Sequence, residues 1–590
     1  MRIRIALIPL LLLSLPLFAQ SAADLDARRV KLAKLIDEAW QYRLETSPEF
    51  ASTLGDKRWN DKLADRSLES EERDAKKARE VLARLNAIST KGFSEQESIN
   101  KIVLAQQLRN TLEDYRLKNY EMPVNQLQGV YLQYPQMVSL LQFDSAKDYE
   151  DWTARTHQLP RVFGQTTAMM RRGMRDGLMP PKFLLEKAAS QIEGIAAQQP
   201  EETPFAAPLK KFPSSISAER QQQLREALLG AIRNDVLPAY AAFGKFVRDE
   251  YAPRGREHEG IWSLPDGPAR YAAAVARATT TNKTPDEIHQ IGLDEVARDE
   301  AEMLAIAKKL GYDSIGALND AIEKNPDRHA KSREDILDRY RQYIALMNDK
   351  LPSLFGLLPT QKVGVKSVEA FREKTAPGAQ YQRGTKDGSR PGMVVVNTSQ
   401  AETRKIIGIE STAYHEGVPG HHLQNSIAQQ LGDLPPFRQQ GGFIAFGEGW
   451  ALYSERLGKE IGLYTDPYMD YGRLQSDILR AIRLVVDTGV HSKKWTRQQI
   501  VDYFHAHSGS MDEVAVQIET DRYIAWPAQA LGYKVGQLEI LRLRAKAEQA
   551  LGAKFDLRAF HDQVLGAGSV PLDVLASRID RWIAERGSVR

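Results

Sequence analysis

Three histidines and one acid stand within nine residues, Tyr414-His-Glu-Gly-Val-Pro-Gly-His-His422, in a chain that has only eleven histidines over 590 positions. Imidazole and carboxylate are the ligands a catalytic zinc ion takes when cysteine is absent, and this chain has none. The usual H-E-x-x-H places two histidines four residues apart on one helical face. Here the spacing is different. His415 and His421 are six apart, which leaves their side chains about 120° apart on a regular helix. His415 and His422 are seven apart, nearly aligned but separated axially by about 10.5 Å. Neither pair closes on one ion at Zn–N distances of about 2.0–2.1 Å if the helix is regular.

Pro419 and Gly420 predict that it is not regular. Proline lacks an amide hydrogen, and its ring clashes with the carbonyl four residues earlier, here that of His415. Glycine admits backbone angles closed to other residues. A kink, wide turn or π-type bulge at this pair brings a second histidine back towards the first. Spacing alone leaves His421 and His422 both open as that second ligand.

A third ligand is expected from a neighbouring helix. "GFIAFGEGWALYSERLG" carries Glu448 between two glycines, 27 residues after His421 and beyond a Pro-Pro break. Glu455 lies seven residues further on, on the same helical face, as an outer partner or alternative ligand.

The elements that must position these residues read as helices. Apolar residues recur at three- and four-residue intervals over Asp24–Thr46, Glu71–Ile88 and Glu95–Leu117. Ser94/Glu97, Thr284/Glu287 and Thr496/Gln499 have capping-box spacing, with Pro285 at a first helical position. Pro-rich stretches at 179–182, 198–208 and 432–437 read as loops. One strand signal, "GMVVVNT" (Gly392–Thr398), precedes the histidine cluster, and it is expected to offer a free edge to an extended peptide. The expected fold class is mainly α: a large helical body with a deep central channel and a small β-sheet beside the metal-site helix.

The composition, 42% hydrophobic and 27% charged, is that of a globular protein. Residues 1–23 read as a secretory signal, with Arg2 and Arg4 ahead of the apolar run Ile5–Leu13. That run is too short for a membrane span of about 20 residues. Residues 24–590 are then expected as a single catalytic domain, exported to the periplasm or secreted, with no cysteine for a lipid anchor. Removing the signal lowers the formal charge from +3 by the two arginines. A nearly neutral chain gives no whole-molecule reason to bind nucleic acid or acidic membranes. Serine-hydrolase elbows, P-loops and dinucleotide fingerprints are absent from the sequence.

"AYHEGVPGHHLQ" (Ala413–Gln424), "GEGWALYSERLG" (Gly447–Gly458) and "DRYIAWPAQALGYKVG" (Asp521–Gly536) resemble the bacterial family known as domain of unknown function 885. The likeness extends over most of the chain after the signal segment. That family is similar in turn to the glutamate-liganded zinc peptidases, such as angiotensin-converting enzyme, thimet oligopeptidase and the carboxypeptidase Taq group. The resemblance favours His421 over His422 and implies one zinc ion on His415, His421 and Glu448. It also implies a mostly helical body with the site deep in a channel.

The chemistry expected of such a site is metal-assisted amide hydrolysis of oligopeptides. Glu416 takes a proton from a zinc-bound water whose pKa falls towards about 7, and passes it to the leaving amine. A donor for the developing oxyanion is expected from Tyr533 first, because the resembling peptidases place a tyrosine on a late helix, and then from Tyr523 or His491. The alternatives are an amidase for peptidoglycan-derived peptides, or a helical protein that binds metal or peptide without hydrolysis.

Overall fold

Ser94, Thr284 and Thr496 each cap a helix with the reciprocal bonds their spacing predicts, opening the helices Glu95–Arg116, Pro285–Lys309 and Arg497–His507. The computed structural model describes residues 15–588 apart from 370–372, 374–375, 386–387, 389, 433 and 509–510, with side chains described from Ala23 onward. Of the expected signal segment 1–23, residues 1–14 lie outside the described ones. From Leu15 the chain is helical to Thr46. The other two early helices are also present, at Leu68–Asn86 and Glu95–Arg116. The Pro-rich stretch near residue 200 forms two short turns of 3-10 helix, Pro200–Glu202 and Pro204–Lys210, each opened by a proline whose missing donor costs nothing there.

The fold is mainly α, as expected. Among the described residues three strands form one small sheet: β1 (Val363–Ser367), β2 (Ala379–Gln382) and β3 (Gly392–Val396), in the order β1-β3-β2. Strand β3 pairs parallel with β1 and antiparallel with β2, with Val394 facing Val365 on one side and Tyr381 on the other. The expectation of a free edge at Gly392–Thr398 is therefore corrected. The most β-branched strand is the central one, where both sides of its backbone are already bonded and its valines are buried. The edges of the sheet are β1 and β2.

The hydrophobic interior falls into two clusters. The larger gathers the first helices and most of the chain beyond Tyr271, including Ala413, Tyr414 and Trp450 around the histidine segment. The smaller is built almost entirely from Val124–Ala252. Cavities of about 610, 400 and 300 Å³ run where elements of the two meet. Thr53 and Leu140 line both of the first two, and Gln128 lines the first and the third. Among the described residues no helix is long and apolar enough to cross a membrane.

Candidate metal centre

The helix Ile409–Glu416 ends one residue after His415, and a new helix, His421–Gln430, starts at His421. Between them the backbone makes a wide turn. The Gly420 amide donates to the Tyr414 carbonyl at 2.9 Å and the His422 amide to the Gly417 carbonyl at 3.0 Å, bonds that skip six and five residues instead of four. The Val418–Pro419 peptide is cis. A side chain at Gly420 would begin 2.0 Å from the His415 carbonyl oxygen, so only glycine lets the turn fold back this tightly. Trp450, two residues beyond Glu448, donates its indole N–H to the Pro419 carbonyl at 2.8 Å and ties the turn to the next helix.

This break brings the two imidazoles together. The rings of His415 and His421 are 4.9 Å apart and perpendicular. Their Nε2 atoms lie 3.6 and 3.5 Å from the same Glu448 oxygen, Oε2. One ligand atom from each of the three residues falls within 4.8 Å of the others. Ligands about 2.05 Å from a tetrahedral ion stand about 3.3 Å apart, so these two separations to Glu448 are close to what zinc requires. The donor set of two imidazoles and one carboxylate fits a catalytic zinc ion, which takes three protein ligands and keeps one position open.

Glu455 fixes the outer side of His415. Its Oε1 accepts from His415 Nδ1 at 2.8 Å, which leaves Nε2 directed at the cluster. Burial alone lowers the His415 pKa, but contacts with Glu448 and Glu455 outweigh it and hold the ring protonated up to about 10. Burial likewise favours a neutral Glu448, and the two imidazoles reverse this, holding its carboxyl well below the usual carboxylate range. His422 faces elsewhere. Its Nε2 meets the Gln361 carbonyl at 2.9 Å and its Nδ1 meets the Tyr381 hydroxyl of β2 at 3.2 Å, so it anchors the histidine segment to the sheet.

Glu416 follows His415 directly. It is half-buried and accepts no hydrogen bond among the described residues, which leaves its carboxylate available to a water or substrate proton.

Tyr533 lies on the helix Leu531–Leu551, which crosses the Glu448 helix, Ile444–Glu460. The crossing is backbone on backbone. A Cβ on Gly536 would stand 1.9 Å from the Ala445 carbonyl oxygen, and one on Gly449 would stand 2.4 Å from the Gly536 carbonyl carbon. Glycine on both helices permits the approach and sets Tyr533 one turn from the contact, where Glu448 acts on its hydroxyl. Burial raises the Tyr533 pKa and Glu448 adds to it, while Arg483, Arg522 and Arg480 oppose both.

Tyr523 and His491 are placed otherwise than a substrate-facing role requires. The Tyr523 hydroxyl donates to Glu519 and accepts from Arg483 Nε at 3.0 Å, and the side chain is buried. His491 accepts the Ile261 amide on Nδ1 at 3.1 Å and donates Nε2–H to the Tyr523 carbonyl at 2.9 Å. With both nitrogens engaged and burial pushing its pKa down to about 3, His491 is a neutral structural residue. Arg483, which sequence reasoning missed, lies with its guanidinium 4.8 Å from the Tyr533 ring centre and joins Tyr533 to the Tyr523–Glu519 pair. Its signal was a lone charge inside the apolar run Ala481–Val486.

The crystal structure of a candidate lipoprotein from Colwellia psychrerythraea superposes on this fold with a TM-score of 0.88 at 30% sequence identity, covering 95% of this chain and 99% of that one. A candidate lipoprotein of unknown function from Shewanella oneidensis has a TM-score of 0.74 at 18% identity, covering 92% and 99%. No curated protein sequence matches the chain. The profile of the family described as "Bacterial protein of unknown function (DUF885)" matches residues 48–579, and with nine-tenths of its length inside that profile the chain belongs to this family.

Proposed function

We propose that the protein is an exported zinc-dependent peptidase acting on oligopeptides. The observation that carries this reading is the convergence of His415, His421 and Glu448 across a broken helix, with Glu416 beside them and Glu455 orienting His415. An ion held by the three residues supplies Lewis-acid polarisation and a nucleophilic water at neutral pH. The chain's own residues then do the proton work. Glu416 accepts the proton of the attacking water, and the same carboxyl delivers it to the departing amine as the C–N bond breaks. The Tyr533 hydroxyl donates to the oxygen that becomes negative, with Arg483 behind its ring favouring that charge. The sequence resemblance to a family read as similar in turn to the glutamate-liganded zinc peptidases points to the same assignment.

Export rests on Arg2, Arg4 and the apolar run Ile5–Leu13, and on the description of both similar structures as candidate lipoproteins. This chain itself has no cysteine to take a thioether-linked lipid.

Digestion of a diverse peptide mixture, read by mass spectrometry with and without chelator, tests the proposal. New peptide ends that vanish with chelator and return with zinc are the expected result. Products only from peptidoglycan-derived peptides favour an amidase, and no products from any mixture leave a binding protein.

A further inference from the structure

The cavity of about 300 Å³ between the two cores combines an apolar wall with two arginines, Arg270 buried and Arg256 half-buried, that make no ion pair among the described residues. Its wall includes Met179, Leu184, Leu264, Ile444, Ile524 and the half-exposed Trp526, and among the described residues no aspartate or glutamate lines it. Arg256 and Arg270 line it too, and neither makes an ion pair among the described residues. Arg256 donates only to the carbonyls of Gly260 and Glu259, at 3.0 and 2.9 Å, and its buried Nε has no partner among the described residues. Arg270, 6% exposed, donates to the Pro265 carbonyl at 2.7 Å and to Asn119 Oδ1 at 3.0 Å, both neutral acceptors. Carboxylates act on them only at a distance, Glu259 on Arg256, and Asp266 and Glu121 on Arg270. A third arginine of the wall, Arg277, is already paired with Asp114 at 2.7 Å.

Burying a guanidinium without a counter-ion is costly, and the planar fork of arginine matches a carboxylate. The cavity and the metal centre share the helix Ile444–Glu460. Ile444 of its wall lies one helical turn before Glu448, and Gln529 accepts from Arg522, one of the charges that act on Tyr533.

We infer that this cavity is the substrate subsite for a carboxylate attached to an apolar side chain. Two features of a peptide carry that chemistry, the free C-terminus of an apolar residue and an acidic residue beside an apolar one. The inference rests on the peptidase reading for its link to turnover, but its test does not.

Calorimetric titration of the full-length Glu416→Gln protein, zinc-loaded and again in chelator, uses three probes: acetyl-Leu-Phe as the free acid, the same peptide as its amide, and acetyl-Leu-Phe-Glu-amide. A carboxylate probe is expected to bind at least about tenfold tighter than the neutral amide, as a charge-assisted hydrogen bond implies. Whichever acid gains identifies the source of the carboxylate. Ala274→Trp, which fills the cavity, is expected to remove that gain. Equal binding of all three probes, or an undiminished gain in Ala274→Trp, would overturn the inference, and the comparison of acid with amide needs no variant. Acid-selective binding by a protein that cleaves nothing would leave the subsite standing while the peptidase reading fails. Cleavage without acid selectivity would do the reverse.

Discussion

At the scale of single residues, Glu455 decides which nitrogen of His415 faces the cluster. Glu455→Gln keeps the shape but weakens the bond that fixes the ring, and zinc affinity is expected to fall about 10–100-fold, the usual cost of losing such a partner. Competition against a chromogenic chelator measures it. The proton on His415 gives a second prediction. In metal-stripped protein its pKa is raised from the ordinary 6.5 to about 10, so its attraction to Glu448 and Glu455 stabilises the fold fully below pH 6.5 and is lost as pH rises through 10. An ion must displace this proton. Apparent zinc affinity is therefore expected to rise between pH 6.5 and 10, and the thermal stability of stripped protein to fall over the same window. A pH series of titrations and melts on wild type and His415→Ala checks both, and the fall in stability should flatten in the variant.

At the scale of elements, two close approaches position the site: the turn at Gly420 and the helix crossing at Gly449 and Gly536. Gly536→Ala forces a methyl against the Ala445 carbonyl, and overpacking of this kind costs about 1–3 kcal/mol. The helices must separate at the position that carries Glu448 and Tyr533. Zinc affinity is expected to fall together with the melting temperature, whereas a cavity mutation far from the crossing should lower only the latter.

The turn was legible in the sequence because Pro419 and Gly420 forbid a straight helix and the histidine spacing demands a broken one. Capping boxes and apolar periodicity gave the helices for the same reason, since those signals are local. Strand pairing is not local. Nothing within Gly392–Thr398 tells that β1 and β2 flank it on both sides, so its free edge was misread. The surroundings of Tyr523 and His491 were not legible on similar grounds, for their partners Glu519, Arg483 and Ile261 are set by packing between helices.

At the scale of the whole molecule, the histidine segment is packed into the larger of the two cores, and the cavities follow their meeting line. An ion that binds only the folded larger core stabilises it by mass action, about 2.7 kcal/mol at a hundredfold excess over Kd. Calorimetry should show a melting transition that rises with zinc in wild type and is insensitive to it in Glu448→Ala. On the proposed reading, the chain's near-neutral charge and the two arginines of the cavity at the seam favour selection of substrates by local contacts rather than by a long-range field.

Zinc content and peptide turnover on one preparation of wild type beside Glu416→Gln test most directly whether this site hydrolyses peptides through a bound ion. About one zinc per chain is expected in both, with turnover at least about 100-fold slower in the variant, the low end of what a general base contributes. Equal turnover in the two proteins, or a wild type that binds zinc and cuts no peptide, would contradict it.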